Sequence, residues 1–100
     1  MAFKFEKLEV WQRALEYADR AEPIAQALPP RERFNLSDQI RRASTSIALN
    51  IEEGSIGQSN AEQSRFLGYA QRSLVETVGC LHLIRRREYV DVVILRQAYT

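Results

Sequence analysis

Residues 35–54 read NLSDQIRRASTSIALNIEEG, and this stretch decides the fold. On a helix of about 3.6 residues per turn, its small and apolar residues recur every three or four positions and share one side. The members of this stripe are Leu36, Ile40, Ala43, Ile47, Ile51 and Gly54. Such spacing is typical of a helix that packs against a core. The stretch therefore predicts a buried helix, with Asn35 or Ser37 as its cap and Gly54 as its left-handed end.

Beside the stripe lies a column of polar side chains: Gln39, Arg42, Ser46, Asn50 and Glu53. A buried carboxylate needs hydrogen-bonding partners to offset its desolvation. We therefore expect Glu53, and Glu76 of a later helix, to accept hydrogen bonds from neighbouring polar groups. The expected donors are Arg42, Ser46, Asn50 and Ser73. We favour this structural role over an acid and base pair drawn from Glu53, Glu62 and Glu76.

The same stretch resembles the signature of a known family. Between Gln39 and Gly54 it reads QxRRAxxSIxxNIxEG, which is similar to the motif of small bacterial four-helix-bundle proteins, among them those encoded in intervening sequences of the large-subunit ribosomal RNA gene. Further matches are Phe5, Leu8, Val10, Trp11 and Ala14, the turn LPPRE at 28–32, and Arg65, Phe66, Leu67, Ala70, Ser73 and Glu76.

The resemblance implies a homopentameric helical bundle with no established chemistry and a link to nucleic acid. A relative of this fold, the accessory protein of diversity-generating retroelements, binds nucleic acid and a reverse transcriptase. The matching motif residues are expected to be structural: Gln39, Arg41, Arg42, Ser46, Asn50, Glu53, Gly54, Ser73 and Glu76. Family members continue the final helix beyond the position of Thr100, where this sequence departs from the pattern.

Composition sets the scale and the location of possible binding. A chain of 100 residues makes one small domain, which gains stability from association. Its net charge of +1 means that any phosphate binding must come from a local patch. The chain up to Gly54 has 8 basic and 9 acidic residues, and the remainder has 6 and 4. The later half is therefore the more basic one.

Localisation is predicted from what the sequence contains. The single cysteine, Cys80, permits no intramolecular disulfide and fits a reducing compartment. The opening MAFKFEKLEVW is too charged for a signal peptide, and no apolar run approaches about 18 residues. We expect a soluble cytoplasmic protein with no membrane association.

The remaining helices follow from periodicity and from turn residues. A first helix is predicted from near Leu8, kinked by Pro23, and is followed by a turn over 28–34. A third helix is capped by Ser59 or Asn60, and a short fourth begins near Asp91. The predicted fold is an all-α, up-and-down four-helix bundle that forms a ring-like homo-oligomer. The predicted core stripe of the third helix is Phe66, Leu67, Ala70, Leu74, Thr77, Leu81 and Ile84.

The far sides of two helices predict association. Leu49 lies almost opposite Ile47 in the second helix, and the back of the third helix carries two interior glycines, Gly68 and Gly79. Each interior glycine costs about 1 kcal/mol relative to alanine. We expect another helix to approach closely on this side, which also carries Arg72, Val75 and Leu83.

The basic run Arg85, Arg86 and Arg87 has two readings of equal weight. It is either a solvated helix end, where cations are favoured by the helix dipole, or a phosphate-binding cluster that a ring would multiply. Arg31 and Arg33 belong to the same patch or to another one. No array of stacking aromatic residues is evident, because most aromatic residues fall on core stripes.

Catalytic and metal sites are not expected. Cys80 and His82 are two positions apart on a helix, so they point about 200° apart and cannot share one ion. One histidine and one cysteine offer little for a nucleophile with its base. We therefore expect no enzyme, no cofactor and no metal. The main hypothesis is an oligomeric scaffold that binds RNA or DNA, and the alternative is a structural or protein-interaction adaptor with no nucleic-acid role.

Overall fold

The computed structural model describes residues 3–56 and 59–90, and the regular structure within these ranges is entirely helical. The all-α expectation is therefore confirmed. The helices are α1 (Glu9–Ala27), α2 (Leu36–Ser55) and α3 (Asn60–Arg86), with short 3-10 turns at Lys4–Lys7 and Pro30–Glu32. The fourth helix predicted from near Asp91 lies outside the described residues. Within these ranges, no helix has both the length and the apolarity that crossing a membrane requires.

Helix α1 is continuous through Pro23, as expected. Proline lacks an amide hydrogen and leaves the carbonyl four residues earlier without its helical partner. Pro23 is exposed, so water can solvate that carbonyl. The buried side of the helix is built from alanines and two larger residues: Ala14, Ala21, Ile24, Ala25 and Leu28. Alanine at these positions lets α1 approach its neighbour closely.

Helix α2 lies at the centre of the molecule and packs against both other helices. Its predicted stripe is confirmed, because Leu36, Ile40, Ala43, Ile47, Ile51 and Gly54 are all buried. The indole Nε1 of Trp11 donates to Glu52 at 2.8 Å, and the Arg41 guanidinium donates to both carboxylate oxygens of Glu22. These contacts tie α1 to α2. The hydrogen bond that Arg41 donates to Glu22 also raises the pKa of Arg41.

The predictions of how α2 is capped at its start and terminated at its end are both wrong. Asn35 precedes the helix, but its side chain makes no capping bond. Gly54 has no positive φ, and the helix continues to Ser55. A Cβ atom on Gly54 would lie 3.3 Å from the Cβ of Phe66. Glycine therefore leaves room for α3, which passes close by, and the helix ends one residue later.

Helix α3 begins as predicted, with the Ser59 hydroxyl accepting from the amide of Glu62 at 3.1 Å. Its buried residues are Ala70, Thr77, Cys80, Leu81 and Ile84. Leu67 and Leu74, which the periodicity placed in the core, are each 43% exposed. These two leucines lie on the side of α3 that α2 does not cover.

That uncovered side lies between α1 and α3. No Cα atom of α1 comes within 8 Å of a Cα atom of α3, and the two helices meet through longer side chains. The hydroxyls of Tyr17 and Thr77 are 2.7 Å apart. Val10, seven residues before Tyr17 and so on nearly the same side of α1, is 55% exposed. The three described helices thus leave one open apolar side.

Candidate nucleic-acid interface

Five arginines converge at one end of the molecule. Helices α2 and α3 run antiparallel, so the turn before α2 meets the last turn of α3. Arg87 contacts Glu32, and the Arg31 guanidinium lies 5.2 Å from the centre of the Tyr89 ring. We call this region the basic end: Arg31, Arg33, Arg85, Arg86 and Arg87. The sequence left open whether Arg31 and Arg33 join the later run, and the fold brings them to the same end.

Glu32 is the anchor of the basic end. It is only 5% exposed, and its carboxylate accepts three hydrogen bonds from other side chains. The donors are the Tyr89 hydroxyl at 2.8 Å, the Asn35 amide at 2.9 Å and the Arg87 guanidinium at 3.2 Å. The pKa of Glu32 is held below its ordinary value, chiefly by the bond from Tyr89 and further by Asn35, the Leu36 amide and Arg87, although burial opposes them. Glu32 is therefore charged at neutral pH.

A tight turn after α3 brings Tyr89 to this anchor. The Glu88 amide bonds to the carbonyl of Arg85, and the Tyr89 amide bonds back to the carbonyl of Ile84. This pattern terminates a helix with one residue in the left-handed region, usually glycine. Here that residue is Glu88, with φ of 55°. The turn redirects the chain towards the start of α2, where Tyr89 reaches Glu32.

The three arginines predicted to bind nucleic acid are not equivalent. Arg87 forms an ion pair with Glu32 and is 45% exposed at its side chain, so its charge is largely offset. Arg85 and Arg86 are exposed and form no ion pair within the described residues. With His82 and Leu83 they line a shallow depression of about 420 Å³. Nucleic-acid binding by Arg85, Arg86 and Arg87 stays a prediction, to which the fold adds that Arg87 also pairs with a buried carboxylate.

The net charge of the basic end exceeds that of the whole chain. Its five arginines are accompanied by Glu32 and Glu88 in the same two segments, which leaves +3, whereas the whole chain carries +1. Arg31 and Arg33 also form no ion pair within the described residues. Their guanidinium groups lie instead beside the Tyr89 and Phe34 rings. The basic end therefore carries a local excess of positive charge that the net charge of the whole chain does not reveal.

Several of the family-motif residues of α2 and α3 lie in or beside a second region, which we call the polar seam. It is a cleft of about 220 Å³ between α2 and α3, lined by Gln39, Arg42, Ala43, Ser46, Ser73 and Glu76. One turn after Ser46, the Asn50 amide donates to the carbonyl and the hydroxyl of Ser46 at 2.8 and 2.9 Å. The Ser73 hydroxyl donates to the Ser46 hydroxyl at 3.0 Å. The Ser73–Ser46 bond joins the two helices, whereas the two Asn50 bonds lie within α2.

The expected role of the seam carboxylates is wrong. Glu53 and Glu76 are exposed, and neither makes a side-chain hydrogen bond within residues 3–56 and 59–90. Arg42 pairs with Asp38, one turn earlier on its own helix, at 3.3 Å. Gln39 donates to Asn35 at 3.0 Å. The carboxylates remain in water, so they need no partners to offset burial.

Cys80 and His82 diverge as predicted, since Cys80 is 3% exposed and His82 is exposed. Burial, reinforced by the charge of Glu76, raises the pKa of the Cys80 thiol. The thiol is therefore protonated at neutral pH and is a poor nucleophile. Within the part of the chain that the structure describes, no three His, Cys, Asp or Glu side chains are grouped to hold a metal ion.

The sequence analysis did not identify one exposed residue that lies beside the basic end. Phe34 is 87% exposed and follows Arg33, whose guanidinium lies 5.3 Å from its ring centre. Its neighbours Pro30 to Asn35 form a turn, so it belongs to no helical stripe. That isolation from every apolar pattern was the available signal that Phe34 does not enter the core.

The fold and these two regions define a small helical-bundle protein whose positive charge is concentrated at one end. The chain belongs to the family of 23S rRNA-intervening sequence proteins, whose family model matches residues 6–100. A comparison with curated proteins gives no match.

Proposed function

We propose that this protein is a non-enzymatic oligomeric scaffold that binds RNA or DNA through the basic end. The observation that carries the proposal is the convergence of Arg31, Arg33, Arg85 and Arg86, all without an ion pair in the described residues. Arginines of this kind contact phosphates and release counterions. The family name, which refers to an intervening sequence of ribosomal RNA, is compatible with this role.

The decisive test measures binding as a function of salt. Fluorescence anisotropy with labelled single-stranded RNA, duplex RNA and duplex DNA is recorded between about 50 and 200 mM salt. Wild-type affinity should fall steeply as salt rises. The double variant Arg85→Gln with Arg86→Gln removes two cations, so its logarithmic salt slope on single strands should flatten by about 1.4.

A matched control removes the same charge from the opposite end. Arg13 and Arg65 lie near the starts of α1 and α3, and both are exposed. The double variant Arg13→Gln with Arg65→Gln should therefore keep the wild-type slope. Equal weakening by both double variants would indicate a bulk charge effect. Failure of the wild type to bind any of the three probes at low salt would rule out the nucleic-acid role.

We also propose that copies of the chain form a closed ring, with five copies as the family resemblance implies. The support lies on the outer sides of α2 and α3. Leu49 on α2 is 56% exposed, Ile56 just after α2 is 62% exposed, and Val75 on α3 is 70% exposed. A Cβ atom added to Gly68 or Gly79 would meet nothing within 4 Å. No contact among the residues that the structure describes therefore requires these glycines.

Alanine at both glycines distinguishes a single chain from an assembly. In an isolated chain, Gly68→Ala with Gly79→Ala should raise the free energy of unfolding, by about 0.5–1 kcal/mol for each helix-interior glycine. In a ring, the added methyl groups should instead separate the copies. Light scattering should therefore give a large wild-type particle and a smaller variant. A stable wild-type monomer at micromolar concentration would contradict the ring.

The finer fold and the location are part of the same proposal. We propose that the segment from Asp91 onward supplies a fourth helix for the open apolar side between α1 and α3, where Val10, Leu67 and Leu74 are exposed. We further propose that the protein acts in the cytoplasm, where the single thiol would remain reduced.

The alternative is a structural or protein-interaction adaptor with no nucleic-acid role. The exposed apolar side chains of α2 and α3 favour it, because contiguous apolar surface marks contact with another protein. Such contact should depend only weakly on salt. The anisotropy experiment therefore separates the two functions, since an adaptor would bind none of the three nucleic-acid probes.

A further inference from the structure

Phe34 is the most exposed of the large apolar side chains described, at 87%. Other exposed apolar residues, such as Leu67 and Val75, lie on helix sides that a second helix can cover. Phe34 instead lies in the turn before α2, among the arginines of the basic end. An aromatic ring held in water between cations is a poor core residue and a suitable surface for another flat group.

The turn that carries the ring is held in place by the residues on either side of Phe34. Two residues before it, Glu32 is buried and accepts three side-chain hydrogen bonds. One residue after it, the Asn35 amide nitrogen donates to Glu32 and the Asn35 side-chain oxygen accepts from Gln39. The Asn35 backbone amide also bonds to the carbonyl of Glu32 at 3.0 Å. Because the turn is already ordered, little freedom remains to be lost when a ligand binds to the ring.

The charges around the ring define which ligand it suits. The Arg33 guanidinium lies 5.3 Å from the ring centre, and Arg31 belongs to the same turn. Arg85 and Arg86 lie at the adjoining end of α3. A ligand that matches this arrangement carries negative charges at intervals and flat aromatic groups between them. A nucleic-acid strand has both features, with phosphates for the arginines and bases for the ring.

We infer that Phe34 stacks on an unpaired base, so that the basic end prefers single-stranded to duplex nucleic acid. This inference rests on the proposed nucleic-acid function. In a duplex the bases are already stacked on one another, and only unpaired bases are available to an aromatic side chain. Arginines contact the phosphates of single strands and duplexes alike, whereas the ring adds affinity only for single strands. Stacking tolerates every base, so the preference is for strandedness and not for sequence.

The test replaces the ring without changing charge. Phe34→Leu keeps an apolar side chain at an exposed position, so folding should be preserved. Its affinity for a labelled single-stranded RNA should fall about tenfold, the scale of one lost base–aromatic stack, while its affinity for duplex RNA stays unchanged. Its salt slope should match the wild type, because no cation is removed. Phe34→Trp should retain binding, and its added fluorescence should be quenched by single strands.

The outcomes separate this inference from the function on which it rests. Wild-type binding that Phe34→Leu leaves unchanged, or weakens equally on single strands and duplex, overturns the stacking role but keeps the basic interface. A smaller particle for Phe34→Leu in light scattering shows that a second copy covers the ring, which also overturns it. Absence of wild-type binding to every probe fails the proposed function itself.

Discussion

The basic end and the polar seam are both rich in polar side chains, but they use them differently. In the seam, Ser46, Asn50 and Ser73 bond to one another, and the hydroxyls face each other between two helices. At the basic end, one buried carboxylate binds Arg87, while Arg85 and Arg86 remain in water without an ion pair in the described residues. A polar cluster whose donors and acceptors match one another stabilises the fold, and an excess of one charge is left for a partner.

The largest expected effect comes from removing the anchor of the basic end. Glu32→Ala leaves the Asn35, Arg87 and Tyr89 donors without their shared acceptor, so the melting temperature should fall by several degrees. The loss should exceed that of any substitution at the polar seam. Differential scanning calorimetry measures it, and Glu88→Gln, an exposed carboxylate of the same end, is the matched control. A melting temperature equal to that of wild type would show that Glu32 does not hold this end together.

The same carboxylate predicts a pH dependence. Because the folded-state pKa of Glu32 lies below its ordinary value of about 4.5, its contribution to stability is present at neutral pH and is lost as the pH falls below that value. Glu32→Gln should lack this component. The difference in melting temperature between wild type and Glu32→Gln should therefore shrink on acidification, and a difference that stays constant from neutral to acidic pH would contradict the assignment.

An intermediate effect is expected at the polar seam. Asn50→Ala removes the two hydrogen bonds to Ser46, so the free energy of unfolding should fall by about 0.5–1.5 kcal/mol. Nucleic-acid affinity of the folded protein should not change, because the seam groups are matched among themselves. Chemical denaturation and anisotropy together measure both quantities. An unchanged denaturation curve together with a loss of nucleic-acid binding would indicate that the seam is a functional site.

The smallest effect is expected at the two seam carboxylates. Glu53→Gln and Glu76→Gln each alter an exposed group that makes no side-chain hydrogen bond in the described residues, so each should change stability by no more than about 0.5 kcal/mol. Their denaturation curves should overlay that of the wild type. If either variant lost as much free energy of unfolding as Asn50→Ala, that loss would support the buried hydrogen-bond network predicted from the sequence.

The sequence was sufficient for the three helices that the structure describes and insufficient for their polar contacts. The sequence predicted the stripe of α2, the start of α3 at Ser59 and the continuity of α1 through Pro23. Each of these features depends on residues that are close in the chain. The end of α3 at the basic run was also predicted. The turn that follows it was not, because Glu88 occupies the left-handed position that glycine usually takes.

Long-range contacts decided which candidate residues are available for function. By itself, the sequence determined an all-helical chain, a buried central helix and a basic run at the end of the third helix. Only the tertiary structure decided that Arg87 pairs with Glu32, 55 positions away, that Gly54 makes room for Phe66, and that Phe34 stays in water beside Arg33. Periodicity reports which side of a helix is buried, since that repeats every turn. It does not report which distant side chain meets that surface, because this depends on how the helices pack.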